Sequence, residues 1–250
     1  MSLFASCLLL CIPVVACGLL MLNYKIAETK LKLLLSFSAA YLLSLSFLHL
    51  LPEIFKDSAG KQVGVYILIG FFIQLLLDYF STGIEHGHIH HHPHEGHKHK
   101  VILPVSILVG LYLHSFIEGI PVSESIVHDY PLSYIGFKQS LVIGITLHNI
   151  PISLAFMVMM LQMGMSKSKA VFYLVLFSLM APLGACFSEV LKLSGIGNFD
   201  QIMNIALGIV VGIFLHISTT IMFESGENHR YNFAKLFSIF LGAVLAFLIS

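Results

Sequence analysis

Eight long apolar runs dominate the chain, and they restrict its fold more than any other feature. They lie at 3–22, 31–51, 63–83, 101–121, 135–161, 169–191, 201–223 and 232–250. About 20 mainly apolar residues cross a bilayer as a helix, whereas a barrel strand needs about 10 and alternates in polarity. Because a backbone in lipid must satisfy its own hydrogen bonds, the runs predict helices. We therefore expect an all-α integral membrane protein with eight transmembrane helices in a single domain, 1–250.

The charge content supports a lipid-covered surface. Charged residues make up 10% of the chain and the mean hydropathy is +0.91, whereas a soluble domain carries about 25% charged residues. The lipid bilayer is therefore the expected environment of most of the surface. The net charge is zero, which argues against nucleic acid as a partner.

The basic residues predict the orientation. If the N-terminus is outside, nine of the 13 lie on the cytoplasmic side and four lie outside. An excess of Lys and Arg marks cytoplasmic loops, so we expect both termini outside. The cytoplasmic set is Lys25, Lys30, Lys32, Lys98, Lys100, Lys167, Lys169, Arg230 and Lys235.

A histidine-rich loop at 84–100 separates the third and fourth runs. It holds eight of the 14 histidines: His86, His88, His90, His91, His92, His94, His97 and His99. Closely spaced neutral imidazoles bind zinc, copper, nickel and cobalt. An expression tag is the alternative, but tags lie at termini and lack this mixed spacing. We expect a cytosolic loop that is disordered without metal and buffers metal outside the bilayer, distinct from a transport site.

Ionisable residues in the fourth and fifth runs point to a metal site inside the membrane. Such a residue costs about 3 kcal/mol to insert and is a functional hypothesis by default. His114 and Glu118 are four residues apart and share a helix face, and His148 with Asn149 lies at a similar depth on the antiparallel fifth helix. Two imidazoles, a carboxylate and an amide suit a borderline divalent metal. The alternative is that these side chains merely bridge helices by hydrogen bonds.

Two prolines strengthen the metal interpretation. Pro121 and Pro151 follow the proposed ligands closely and cannot donate backbone hydrogen bonds. We expect them to break their helices and free carbonyl oxygens at mid-membrane, as in many transporter ion sites.

Other polar residues in the runs carry weaker predictions. His49 and Glu53, again four apart, lie near the outer mouth and are read either as ligands or as an interfacial cap. His216 is expected to make a hydrogen bond between helices or to support a ligand. Asp78 is expected to be solvated near the inner end of the third run.

These motifs together resemble the ZIP (Zrt/Irt-like) divalent-metal transporters over nearly the whole chain. The matching segments are His49-Leu50-Leu51-Pro52-Glu53, His114-Ser115-Phe116-Ile117-Glu118-Gly119 and His148-Asn149-Ile150-Pro151, with the histidine loop between the third and fourth helices. The resemblance implies uptake of zinc or a related divalent metal into the cytosol across the plasma (cytoplasmic or inner) membrane. It carries the family's ligands over to His114, Glu118, His148 and Asn149.

Three departures from the family pattern concern a second, adjacent metal site that some members have. Ser115 stands where many members have Asn, Ile152 where many have Glu, and Ala181 where bacterial members often have Glu. The resemblance with these departures implies one central site and not a binuclear one.

Several alternatives stay open from the sequence. Iron, manganese or cadmium could be the substrate of the same scaffold, and a homodimer is compatible with the chain. A diffusion-facilitator exporter would have about six spans and a soluble C-terminal domain. An intramembrane zinc hydrolase needs a tightly held metal with an open water position, but no His-Glu-x-x-His motif is present. We therefore expect a transporter, with the metal as its substrate and no prosthetic group.

Overall fold

The computed structural model describes residues 1–56, 60–81, 105–122, 136–195, 197–224 and 233–249. The elements in these ranges are helical, with no strand among them. They are α1 (Leu3–Leu20), α2 (Glu28–Leu45), α3 (Leu51–Lys56), α4 (Gly60–Ser81), α5 (Val105–Gly119), α6 (Phe137–Gln162), α7 (Lys167–Ser194), α8 (Phe199–Glu224) and α9 (Phe233–Ile249). A π-helical segment, Ser46–Leu50, joins α2 to α3, and a 3₁₀ turn, Ile120–Val122, follows α5.

Seven helical segments among the described residues are long and apolar enough to cross a membrane. The last helix, α9, is also apolar but has 17 residues, or about 25 Å at 1.5 Å per residue. That is slightly short of a hydrocarbon core of about 30 Å. An all-helical, multi-pass membrane protein is therefore confirmed, while eight crossings and two outer termini stay predictions.

The second span extends further than its sequence indicates. The apolar run ends at residue 51, whereas Leu51–Lys56 is helical and continues the span. The amide of Leu51 donates to the carbonyl of Ser46, five residues back, which is the hydrogen bond of a π turn. Because Pro52 follows with no amide to donate, the wider turn lets the helix pass the proline.

The two prolines near the central histidines behave differently from each other. The expectation that Pro151 breaks its helix is wrong, because α6 is helical throughout Phe137–Gln162. Transmembrane helices tolerate proline where neighbouring groups and small local adjustments satisfy the freed backbone. Pro121 does lie at a helix end, within the 3₁₀ turn that follows α5.

The helices form two groups. In the first group α1 packs against α6 and α7, and α7 packs against α5; in the second, α4 packs against α8, and α2 against α8 and α9. Contacts of α2 with α6 and of α4 with α5 join the groups. Close backbone approach holds α5 to α7, since a Cβ atom at Gly119 would overlap the carbonyl oxygen of Ala181, and one at Gly184 that of Phe116. Small residues permit such tight packing between membrane helices.

Candidate metal centre

His114 and Glu118 occupy one buried face of α5. Their four-residue spacing places them one turn apart, and both side chains are completely buried. Nε2 of His114 lies 3.3 Å from Oε1 of Glu118. The pair therefore directs an imidazole nitrogen and a carboxylate oxygen to the same point in the protein interior.

The neighbouring helix α6 contributes His148 to the same point. The ring of His148 is completely buried, and its centroid lies 5.9 Å from that of His114 at an interplanar angle of 83°. One ligand atom from each of His114, Glu118 and His148 lies within 4.8 Å of the other two. Ligand atoms around a tetrahedral zinc lie about 3.4 Å apart, given bonds of about 2.1 Å, so a small inward movement would close the three around one ion.

Buried oxygens of Glu118 and of Asn149, the residue that follows His148 on α6, lack hydrogen-bond donors among the described residues. They are both carboxylate oxygens of Glu118 and the amide oxygen of Asn149. Burying such acceptors without a donor is costly, most of all for a carboxylate. A divalent cation would satisfy them, so the residues fit a metal.

Apolar side chains pack around Ile152, one of the three positions that the sequence analysis connected with a second ion. Ile152, one turn beyond His148, is completely buried in a cluster with Leu111, Phe156 and Phe177. Ser115 and Ala181 are also buried. Among the described residues, the His114, Glu118 and His148 group alone brings three His, Cys, Asp or Glu side chains within metal-binding reach.

A comparison with protein families now identifies the scaffold. The family model described as ZIP zinc transporter matches residues 1–106 and 85–250, which together cover the chain. The chain belongs to the ZIP zinc transporter family. The resemblance based on the three motifs is thereby confirmed, and with it divalent-metal transport by a multi-pass membrane protein. Among curated proteins, none matches this ZIP family member.

His49 and Glu53, the two polar residues of the ZIP motif on the second span, are not members of this group of three. His49 lies in the π-helical segment and is 7% exposed. Glu53 lies in α3, where its carboxylate is 2.9 Å from the ammonium of Lys56. Ligand roles for both residues therefore stay predictions.

The histidine loop of this ZIP family member lies outside the described residues. The prediction of metal binding by His86, His88, His90, His91, His92, His94, His97 and His99 therefore stays a prediction, as does the cytosolic position of the loop.

A buried polar cluster adjoins the centre on the side of α4 and α8. Nδ1 of His114 lies 3.0 Å from Oε1 of Gln74, and Nε2 of Gln74 donates to Oδ1 of Asp78 at 2.9 Å. Nδ1 of His216 lies 3.3 Å from the other oxygen of Asp78. The expectation that Asp78 is solvated is wrong: its side chain is 13% exposed and contacts two partners. His216 makes the contact between helices that the sequence analysis expected.

Gln74 was missed by the sequence analysis. The available signal was its spacing, because Gln74 and Asp78 are four residues apart in an otherwise apolar run and therefore share a face of α4. An amide beside a carboxylate in a span indicates a polar partner on another helix. The sequence could not identify that partner as His114.

Proposed function

We propose that this ZIP family protein carries Zn²⁺ into the cytosol through a single intramembrane site. His114, Glu118 and His148 hold the ion, and Asn149 assists. The observation that carries the proposal is the convergence of three buried ligand-bearing side chains, with ligand atoms within 4.8 Å of one another, inside a bundle of apolar helices. The metal is cargo and not a resident cofactor.

The donor set is one that zinc uses. Two imidazoles and one carboxylate are typical of zinc sites with three protein ligands, in which the fourth position stays open. An open position lets water or another ligand take over the ion, as a transporter requires. Iron, manganese and cadmium are the alternative substrates of the same site, and competition for zinc uptake would rank them.

Charge supports one ion at a time. A divalent cation with neutral imidazoles and ionised Glu118 leaves a net charge of about +1, and a second divalent ion beside it would raise this to about +3. Repulsion between two such ions a few Å apart is strong where the dielectric constant is low. Ser115, Ile152 and Ala181 offer no compensating carboxylate.

The proposed direction, uptake into the cytosol, is what the ZIP resemblance implies, and the proposed orientation is compatible with it. With both termini outside the plasma membrane, the loop 84–100 lies in the cytosol and receives metal released inward. A homodimer is compatible with this arrangement. Membership of the ZIP family favours a transporter over a hydrolase, and a hydrolase would have to keep its metal bound through turnover.

Flux of radioactive zinc into proteoliposomes tests the proposal. The unaltered protein should accumulate zinc, and His148→Ala should reduce uptake to the level of protein-free vesicles. Gln162→Ala is the matched control, because Gln162 lies on the same helix, is exposed and is outside the centre. Equal uptake by the His148→Ala and Gln162→Ala proteins would contradict the site. Hydrolytic turnover with tightly held zinc and no flux would favour the enzyme instead.

A further inference from the structure

A line of polar contacts leads from the metal centre into the second group of helices. It begins at Nδ1 of His114 on α5, passes through the side chain of Gln74 to Asp78 on α4, and ends at His216 on α8. Gln74 is completely buried and His216 is 5% exposed. Polar side chains enclosed in this way inside a membrane protein are costly and mark functional sites.

We propose that Asp78, acting through Gln74, selects the tautomer of His114 that can bind metal. Gln74 and Asp78 are thus positioning residues, and neither touches the ion. The inference rests on the proposed function, since it concerns how the site holds its metal. It adds that a carboxylate outside the ligand set determines which imidazole nitrogen of His114 carries a proton.

The polarity of the hydrogen bonds carries the argument. An ionised carboxylate only accepts hydrogen bonds, whereas a glutamine amide donates through nitrogen and accepts through oxygen. Asp78 therefore requires the nitrogen of Gln74, and this leaves Oε1 of Gln74 facing His114 at 3.0 Å. Because Nδ1 of His114 faces this acceptor oxygen, Nδ1 must carry the proton of the neutral ring.

The consequence appears at the other ring nitrogen. In a neutral imidazole with its proton on Nδ1, the lone pair is on Nε2. Nε2 is the nitrogen that lies 3.3 Å from Glu118 in the centre. The hydrogen bond at Nδ1 thus leaves the lone pair of Nε2 available to a metal ion. Groups that hydrogen-bond to the non-ligating nitrogen of a metal-bound histidine act in the same way.

Burial of Gln74 and the contact of Asp78 with His216 fix the orientation of the Gln74 amide. If the amide of Gln74 turned over, its oxygen would face the carboxylate of Asp78, and two acceptors would then lie in contact at a side chain that is completely buried. His216 approaches the second oxygen of Asp78 from α8, and its ring packs edge-on against Phe71 with centroids 4.7 Å apart. The carboxylate is therefore held in place from α8 while Gln74 binds its other oxygen.

Two substitutions at Asp78 distinguish the effect of its hydrogen-bonding polarity from the effect of its size. Asp78→Asn keeps the size but adds a donor, so both orientations of the Gln74 amide and both tautomers of His114 become acceptable. Asp78→Glu changes the size but keeps an acceptor-only group. In proteoliposomes we expect the asparagine protein to show a zinc KM raised about tenfold at a similar maximal rate per transporter, since altering the outer partner of a metal ligand costs about 10- to 100-fold. The glutamate protein should stay within about threefold of the unaltered protein.

A structural role for Asp78 would give the reverse order, with the isosteric asparagine tolerated better. That order, or equal KM values for the two variants, would overturn the inference. Gln62→Leu is the control for altering a polar residue of α4, because Gln62 is exposed near the other end of the same helix. Failure of the proposed function is separate, since the unaltered protein itself would then carry no zinc.

A double-mutant cycle tests whether Asp78 acts through Gln74. Gln74→Leu should raise the zinc KM about as much as Asp78→Asn, again about tenfold. Once Gln74 is leucine, the further change Asp78→Asn should leave KM unchanged, because the connection to His114 is already lost. Additive effects of the two substitutions would show that Asp78 attracts the metal directly and would overturn the inference.

Discussion

Gly119 lies directly against the backbone carbonyl of Ala181, one residue beyond the buried carboxylate of Glu118. This approach seats α5 on α7 at the level of the metal centre. Backbone atoms cannot yield as a flexible side chain can, so the contact fixes the position of Glu118 relative to α7.

Gly119→Ala should impair transport because the new methyl group overlaps the carbonyl oxygen of Ala181 and pushes α5 away from α7. A displacement of about 1 Å at a reacting centre can cost up to about 100-fold in rate, and we expect at least a tenfold fall in zinc flux. Gly64→Ala is the control, because no atom lies within 4 Å of a Cβ there. Equal flux in the two variants would contradict the packing argument.

Glu118→Gln should lower zinc flux and raise the stability of the metal-free protein. The neutral amide loses the charge that binds the cation, so zinc flux should fall by at least the 10- to 100-fold typical of weakened metal ligation. Without metal, the new amide nitrogen can donate to Nε2 of His114, 3.3 Å from Oε1 in the present structure, and no carboxylate is left buried. The melting temperature of the metal-free protein should therefore rise by about 2 to 4 °C for each kcal/mol gained. A lower melting temperature would count against a buried charge at this position.

Ile152→Glu should add a second metal ion. The new carboxylate would lie one turn from His148 on α6 and supply the negative charge that a neighbouring ion needs. We expect the metal bound per chain to increase by one in a protein lacking residues 86–99, at some cost in stability because Ile152 is packed among apolar side chains. Ile152→Leu is the control. Two adjacent intramembrane ions in the unaltered protein would contradict the single-site proposal.

Deleting residues 86–99 should separate buffering from transport. The deletion removes eight histidines and leaves the described centre intact, so the maximal rate of zinc uptake should stay within about twofold of that of the unaltered protein. A weaker class of metal-binding sites should disappear from equilibrium titrations. Complete loss of flux in a well-expressed deletion protein would show that the loop takes part in transport.

Acid should weaken uptake. Imidazole binds metal only when neutral and takes up a proton near pH 6.5 in its ordinary state. Lowering the pH below this value makes protons compete with the metal at His114 and His148, so the zinc KM should rise while saturating zinc restores most of the rate. A KM that falls with acidification would contradict imidazole ligands.

The convergence of the candidate ligands His114, Glu118 and His148 was predictable from the spacing and position of these residues in the sequence. His114 and Glu118 share a face through four-residue spacing, and counting residues from the span ends placed His148 at a similar depth. The side chain of Gln74 was not predictable as a partner of His114, because their contact joins helices from different groups and depends on the packing of α4 against α5. The continuity of α6 through Pro151 likewise depends on tertiary surroundings that override the local tendency of proline.

The ends of the spans likewise separate features that the local sequence predicts from features that depend on tertiary structure. Apolar length predicted eight spans, and seven of them correspond to described helices long and apolar enough to cross a membrane. The end of the second span was less predictable, because hydropathy falls at Pro52 and Glu53 although the helix continues to Lys56. Whether α9 crosses the membrane depends on the local bilayer thickness and on tilt as well as on its 17 residues.

The π turn at Ser46–Leu50 alters how the second span must be read as a helical wheel. One extra residue in a turn rotates everything after it by about 100° relative to a regular α-helix. A wheel drawn without interruption from Glu28 to Lys56 would therefore place Ile54 away from the buried face of the span. With the wheel restarted after Leu50, Ile54 points inward, as its 1% exposure requires. Insertion or removal of one residue within Ser46–Leu50 would consequently change which side chains of α3 face the protein and which face lipid.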